Sequence, residues 1–331
     1  TDVGAPIPKS GPSLVASPRA VKTLAKLSCV GIGLSNNHIL DWGPEGLKET
    51  MRVLGDAGLA FFGAGQDEVE AARPLILNLL GKTVGVYACA EHEFTIAGEN
   101  KPGANPFDAL TIQSRIADLA KRVDRTIVLY HGMKEFSRYP SPEVMRRCRA
   151  MVEAGASFVA CQHSHCVGCE ERYQGGIILY GQGDFHFAMG KPDEFRSTGL
   201  AVAYDACANE VEYFPLVSRE GVVRLAQGVE KNEILEEFYE RSLKMQEPGF
   251  VETNWTAFCE RAAGTYAGQV IESVSPRSLS ILYRIIRRAL PKRAGFRSGK
   301  DVAALLNILQ CEAHNEVLRT ELERRMADGT R

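Results

Sequence analysis

Four histidines stand where strand-like apolar runs give out: His38 behind Gly31-Ile32-Gly33-Leu34, His131 behind the run at 126–130, and His163 and His165 behind the run at 157–161. A neutral imidazole is the commonest protein ligand for transition metals, and an alternate pair such as His163 and His165 can converge on one ion if the turn is tight. Asn37, beside His38, adds a carboxamide oxygen of the kind that suits harder divalent ions. Taken singly, each histidine is more often a satisfied hydrogen-bonding residue than a ligand. Three separate strand ends delivering imidazoles to one rim point to a metal site. Glu91 and Glu93, in Glu91-His92-Glu93, follow another strand run and either add carboxylates to that rim or sit in a solvated loop.

The cysteines offer a competing reading. Cys161, Cys166 and Cys169, with His163 and His165, have the residue types of a zinc site, and Cys166-Val167-Gly168-Cys169 is a C-x-x-C. A closed structural site normally draws on two such pairs, and the chain has no second one, so these thiols read as packing residues. Nine cysteines in 331 residues are odd in number and too sparse for a disulfide scaffold, which favours a reducing compartment. Gly63-Ala64-Gly65 is too short and wrongly placed for a dinucleotide fingerprint and reads as a loop.

The elements that would carry these residues alternate. Strand-length apolar runs are expected at 28–34, 83–88, 126–130, 157–161 and 176–180, and helices at 44–55, 106–122 and 142–154. Ser141-Pro142-Glu143 has the capping hydroxyl, first-turn proline and acid of a helix start, and Gly155 supplies the stop. Strand, helix, strand in succession predicts a mostly parallel or mixed sheet covered by helices, with ligands beyond the carboxyl ends of the strands. Residues 1–20, with four Pro, read as an irregular lead-in, and from about Asn232 helical periodicity replaces strand runs. Two domains are therefore expected, 1–230 and a helical extension at 231–331. With 39 Lys plus Arg against 41 Asp plus Glu the net charge is -2, so whole-chain charge predicts no polyanionic partner and no nucleic acid. The basic stretch at 284–300 reads first as a solvated face, and otherwise as a local handle for a polyanion or an anionic membrane. No apolar run reaches spanning length and no signal core is present, so the chain as it stands reads as soluble, cytoplasmic or membrane-associated.

An ordered set of short motifs carries a family resemblance. Asn36-Asn37-His38 with Asp41-x-Gly43, Gly63-Ala64-Gly65, Glu91-x-Glu93-Phe94, Pro102-Gly103-Ala104-Asn105-Pro106, His131-Gly132-x-x-Glu135, Tyr139-Pro140-Ser141-Pro142, Ala154-Gly155-Ala156, His163-Ser164-His165-Cys166 and Tyr180-Gly181-Gln182-Gly183-Asp184-Phe185 occur in that order. Over roughly residues 20–190 the chain resembles the bacterial capsule synthesis proteins of the CapA type, linked to poly-γ-glutamate. The resemblance implies an α/β fold of the calcineurin-like metallophosphoesterase type, a four-layer sandwich of mixed sheets flanked by helices. The strand and helix alternation alone fits a doubly wound sheet equally.

The resemblance also implies roles. Asn37, His131, His163 and His165 match metal ligands for a divalent ion (Mn, Zn, Fe or Mg). His38 matches the general acid, and Glu135 is the carboxylate placed to orient a substrate or water. Asn36, Asp41, Glu91, Glu93 and Asp184 are expected to contact substrate. The family usually opens with a strand ending in Gly-Asp and an Asn-Leu-Glu segment, which this sequence lacks. The expectation is a truncated or reduced site with one ion on Asn37, His131 and His163, and with Asp184, where Asn is usual, compensating in part. The expected activity is metal-dependent hydrolysis of an anionic substrate, a phosphoester or a γ-glutamyl amide, with an anionic capsular polymer or its precursor and a capsule-synthesis membrane complex as partners. The alternative is a non-catalytic assembly or export factor that uses the fold as a scaffold.

Overall fold

The computed structural model describes residues 1–9, 11–186, 195, 197–219, 221–274 and 299–327. In chain order it contains α1 (Val21–Lys26), β1 (Gly31–Gly33), α2 (Gly43–Asp56), β2 (Ala60–Phe62), β3 (Ala64–Gly65), α3 (Glu68–Ala71), β4 (Leu75–Leu79) and β5 (Lys82–Ala90). There follow β6 (Gly103–Ala104), α4 (Ile112–Ala120), β7 (Arg125–His131), α5 (Pro142–Glu153), β8 (Phe158–Gln162), β9 (Val167–Tyr173) and β10 (Gly176–Gln182). The chain continues through β11 (Thr198–Asp205), β12 (Glu210–Arg219), β13 (Val222–Leu225), α6 (Gly228–Lys244), α7 (Phe250–Val274), α8 (Gly299–Gln310) and α9 (Glu312–Ala327). The basic stretch at 284–300 lies outside the described residues except where α8 begins.

The fold is mixed α/β with several sheets. Its centre is a six-stranded sheet in the order β4-β5-β7-β8-β10-β9. β5, β7, β8 and β10 run parallel, and β4 and β9 close the two edges antiparallel. Parallel central strands are buried on both faces, which is why these segments read as nearly continuous apolar runs. One face, through Tyr87, Val128, Tyr130, Val159, Ile178 and Tyr180, packs on Ile116 and Leu119 of α4 and Cys148 and Met151 of α5. The other face sends Phe158, Ala160, Ile177 and Leu179 against Leu200 of β11, Tyr213 of β12 and Phe238 of α6. At the β5 end of that face, Val84, Val86 and Ala88 meet Phe62 of β2. β1 and β2 pair in parallel and are covered in turn by Leu47, Met51 and Leu54 of α2.

The four central strands match the expected runs and extend one or two residues past them at the carboxyl ends, where the histidines lie. Two expectations are corrected. The run at 28–34 pairs only over Gly31–Gly33. The helix expected over 106–122 spans Ile112–Ala120, because the backbone before it is committed to the sheet: Ala90 N donates to Asn105 O (2.9 Å) and Phe107 N to Ala90 O (2.7 Å). Asp108 then caps the turn that precedes the helix, accepting from Leu110 N (2.9 Å) and Thr111 Oγ1 (2.7 Å). The start of α5 is as expected, with Ser141 Oγ accepting from Val144 N at 3.1 Å. Among the described residues no helix is long and apolar enough to cross a membrane.

Candidate metal centre

All the parallel strands finish on one side of the sheet, so the segments that leave them share a rim. β1 leads into Ser35-Asn36-Asn37-His38, β5 into Glu91-His92-Glu93, β7 ends on His131, β8 leads into His163-Ser164-His165, and β10 into Gly183-Asp184. The first of these segments is fastened from both sides. Asn36 Oδ1 accepts from His38 N (2.9 Å), and Thr95 Oγ1 donates to Asn36 O (2.8 Å). His38 Nδ1 meets Asp41 Oδ2 at 2.7 Å. Asp41 is almost fully buried, 2.5 Å from Lys9 Nζ through its other oxygen, and accepts from Leu14 N at 2.7 Å. Burial pushes its carboxyl up, but the hydrogen bonds from His38, Lys9 and Leu14 outweigh that and hold it below the ordinary value.

Ligand atoms of Glu91, Glu93 and His163 lie within 4.8 Å of one another, and Asn37 and His131 adjoin them. Asn37 Oδ1 lies 3.1 Å from His131 Nε2, and Asn37 Nδ2 is 3.3 Å from Glu93 Oε2. His163 Nε2 lies 3.4 Å from Glu93 Oε1 and 3.6 Å from Glu91 Oε1. The rings of His131 and His163 are 4.8 Å apart. Neighbouring ligands of a tetrahedral ion with bonds near 2.1 Å are separated by about 3.4 Å, and the distances from His163 to Glu91 and Glu93 are of that size.

The electrostatics favour a cation there. Glu91 is 1% exposed, yet neither of its oxygens has a hydrogen-bond donor, and Glu93 Oε1 is likewise buried without one. Burial, with the charges of Glu312 and Glu93, pushes the Glu91 carboxyl well above its ordinary value. Burial also drives His131 down to about 3 and His163 well below the ordinary imidazole value, so both are neutral and open as ligands. Three carboxylates, Glu91, Glu93 and Glu135, face one buried ammonium, Lys134, which is paired with Glu135. Buried charge that lacks a partner is expensive and is normally matched by an opposite charge or a metal. The chemistry of this donor set fits a divalent ion.

Glu135 lies between two imidazoles, its Oε1 3.9 Å from His163 Nε2 and its Oε2 3.7 Å from His314 Nε2. His165 turns away to Asp184, with Nδ1 3.0 Å from Oδ1. The chain reaches these positions through unusual backbone: Met133, Phe136, His163 and His165 all have positive φ, at 120°, 61°, 78° and 56°. Left-handed backbone costs a non-glycine residue about 1–2 kcal/mol, and such strain concentrates at functional sites. Gly183, at φ 74°, makes the matching turn after β10, where a Cβ would stand 2.6 Å from Thr198 O. A cavity of about 450 Å³ opens on the cluster, walled by Asn37, His38, Glu93, Lys134, Glu135 and His314 among others.

Of the expected ligands, Asn37 adjoins His131, whose ring is 4.8 Å from that of His163, and His165, 6.0 Å ring to ring from His163, meets Asp184 through Nδ1. Glu91 and Glu93 lie among the candidate ligands rather than in a solvated loop. Asp41 orients His38, and Asn36 braces the segment. The cysteines of the competing zinc reading do not converge: Cys161 Sγ is 3.4 Å from Cys148 Sγ, Cys166 Sγ is 3.4 Å from Ser137 O, and Cys169 Sγ is 3.4 Å from Met245 Sδ. Sequence reasoning missed Lys134, Cys311 and His314. The signal available for the last two was the Cys311-x-x-His314 spacing, which puts both on one face where α9 begins.

The family model for the bacterial capsule synthesis protein PGA_cap matches residues 1–189. The chain is 31% identical over 183 residues to capsule biosynthesis protein CapA of Bacillus anthracis, covering 54% of this chain and 44% of that protein. It is 28% identical over 181 residues to PGA biosynthesis protein CapA of Bacillus subtilis, covering 54% and 47%. It thus spans about half the length of the curated relatives it matches. A crystal structure of a hypothetical protein from Thermus thermophilus aligns at a TM-score of 0.37 with 14% identity, over 63% of this chain and 81% of that one. With more than half its length matched by that one model, the chain belongs to the bacterial capsule synthesis protein PGA_cap family.

Proposed function

We propose that this protein serves capsule or poly-γ-glutamate biosynthesis as a metal-dependent hydrolase of an anionic substrate, a phosphoester or a γ-glutamyl amide. The observation that carries this reading is the buried Glu91 carboxylate, without a donor, beside His163 and Glu93 and next to the Asn37–His131 pair, with Asn37 and Glu93 on the wall of a cavity. Asn37, His131 and His163, with Glu91 and Glu93, would hold the ion. When bound, a divalent ion supplies Lewis acidity, polarising the scissile group and lowering the pKa of an attacking water towards about 7.

The protein's own residues supply the remainder. Asp41 fixes His38 through Nδ1, leaving Nε2 to protonate the departing oxygen or nitrogen, a transfer worth about 10² to 10⁴ in rate. Glu135, on the cavity wall, orients the substrate or water, while Lys134 offsets its charge and offers a positive neighbour to an anion. Asn36 and Asp184 hold their segments and border the substrate's path. In this reading the stacking of α4 and α5, the central sheet, the β1–β2 and β11–β13 layer and then α2 is the four-layer metallophosphoesterase-type sandwich. It forms a catalytic domain at 1–230, extended by the helices at 231–331. The partners are an anionic capsular polymer or its precursor and a capsule-synthesis membrane complex, with the protein cytoplasmic or membrane-associated and no nucleic acid bound.

The test is His131→Ala. The equivalent of metal held at this position, by elemental analysis, and turnover on phosphodiester and γ-glutamyl amide substrates should both be lost, with the fold retained by circular dichroism. Unchanged metal content would contradict the ligand assignment. Metal binding with no turnover on either substrate class would turn the reading towards a scaffold for the polymer.

A further inference from the structure

Glu93 faces a second group of donors besides His163 and Glu91. Its carboxylate, the sulfur of Cys311 and a nitrogen of His314 all lie within 4.8 Å of one another. Cys311 is fully buried and His314 is 8% exposed. Asn307 Nδ2 lies 3.3 Å from His314 Nδ1; with the amide turned over, the otherwise unpartnered Asn307 Oδ1 accepts from Nδ1–H and leaves Nε2, 3.7 Å from Glu135 Oε2, without a proton. An outer partner on one imidazole nitrogen is the usual way a protein fixes the ring of a metal ligand. The ligand atoms of a tetrahedral zinc site stand about 3.3 to 3.8 Å apart, so the trio needs to close by only about an ångström.

The backbone that presents these residues is braced. Cys311 immediately precedes α9 and His314 is in its first turn, three residues on, so both project to one side. Glu312 Oε2 accepts from His92 N (2.7 Å) and its Oε1 meets His92 Nδ1 (2.7 Å). Ser141 Oγ donates to Glu316 Oε2 at 2.7 Å. These contacts clamp the start of α9 to the segment that follows β5 and to the start of α5. Glu93 Oε1, buried and without a donor, is an acceptor aimed into the space both groups share.

We propose that Cys311, His314 and Glu93 form a second cation site, suited to a borderline-soft divalent ion of the zinc class and sharing the Glu93 carboxylate with the first. A thiolate, an imidazole and a carboxylate form such an ion's donor set, whereas magnesium would avoid the sulfur. Three protein ligands leave one position open towards the cavity, the pattern of a reactive rather than a purely structural zinc site. Binding displaces one proton, from the Cys311 thiol to solvent. With both positions filled, two divalent ions and Lys134 face three carboxylates and one thiolate. The net charge of +1 suits an anionic substrate. Two of the three ligands, Cys311 and His314, come from the helical region outside the family-matched residues, so this second position is particular to chains with this C-terminal segment.

The proposal rests on the preceding reading only through Glu93, and its test has a readout of its own. The full chain, stripped with chelator and reconstituted with cobalt(II), should bind two equivalents and develop a near-ultraviolet thiolate-to-cobalt charge-transfer band. His131→Ala should drop to one equivalent and keep the band. Cys311→Ser and His314→Ala should each drop to one equivalent, with the band lost in Cys311→Ser. Absence of the band in the unmutated chain, or its survival in Cys311→Ser, overturns the second site and leaves the first untouched. A single equivalent whose band disappears in both His131→Ala and Cys311→Ser also overturns it, since one ion would then use both sets. Because the unmutated chain already reports thiolate ligation, an ill-folded variant does not leave the question open.

Discussion

Replacing Glu91 with Gln separates the cost of the buried carboxylate from its use as a ligand. In chelator, burial and the neighbouring charges of Glu312 and Glu93 raise the Glu91 pKa well above 4.5, so the folded chain keeps a proton that the unfolded chain has released. Where the folded state binds more protons, stability falls as pH rises, by about 1.4 kcal/mol per pH unit for one group. That loss begins near 4.5, the value of the unfolded chain, and continues up to the folded pKa. The depressed imidazoles contribute the opposite slope as pH falls below about 6.5, but they are common to both proteins and cancel in the difference. Metal-stripped Glu91→Gln should therefore gain on the unmutated chain by about 1.4 kcal/mol per pH unit across that window. With metal the order inverts: at a free concentration 100 times Kd the unmutated chain gains about 2.7 kcal/mol, and a variant binding a hundredfold more weakly gains about 0.4. Urea unfolding from about pH 5 to about pH 8, in chelator and in excess zinc, reads both effects. Parallel pH profiles in chelator would refute the buried-carboxylate argument, and equal stabilisation by zinc would refute its role as a ligand.

Other perturbations read separate parts of the molecule. His38→Ala should lower turnover of a chromogenic phosphodiester by about 10² to 10⁴-fold while metal content stays constant, and a fall in bound metal would make His38 a ligand instead. Ser141→Ala removes the α5 cap and the hydroxyl that serves Glu316, and should cost about 1–2 kcal/mol by denaturant midpoint. A loss near zero would mean the α5–α9 clamp carries little. Gly168→Ala places a Cβ 1.7 Å from Tyr180 O, inside the β9–β10 pair, and should cost about 3 kcal/mol or more or abolish soluble expression, whereas the exposed Gly81 shows no comparable obstruction.

Much of this molecule is legible in one dimension because its causes are local. The central strands announce themselves as apolar runs since both faces of a parallel strand are buried, and α5 is bounded by Ser141-Pro142 and Gly155, whose capping and stopping chemistry needs no distant partner. The histidines at the strand exits are visible for the same reason: in a parallel sheet the carboxyl ends lie on one side whatever the details of packing. The short β1, the late start of α4 and the three-stranded β11–β13 layer depend on which backbone groups find partners far along the chain, and periodicity cannot express that. The site divides in the same way. Asn37, His131 and His163 could be named from residue type and position. That Glu91 and Glu93 are buried beside His163 rather than solvated, and that His165 meets Asp184, follows only from left-handed turns and burial. Cys311 and His314 are separated from Glu93 by more than two hundred residues. Only the docking of α9 against the loop after β5 brings them to it, because coordination depends on distance in space, and the sequence records only order along the chain.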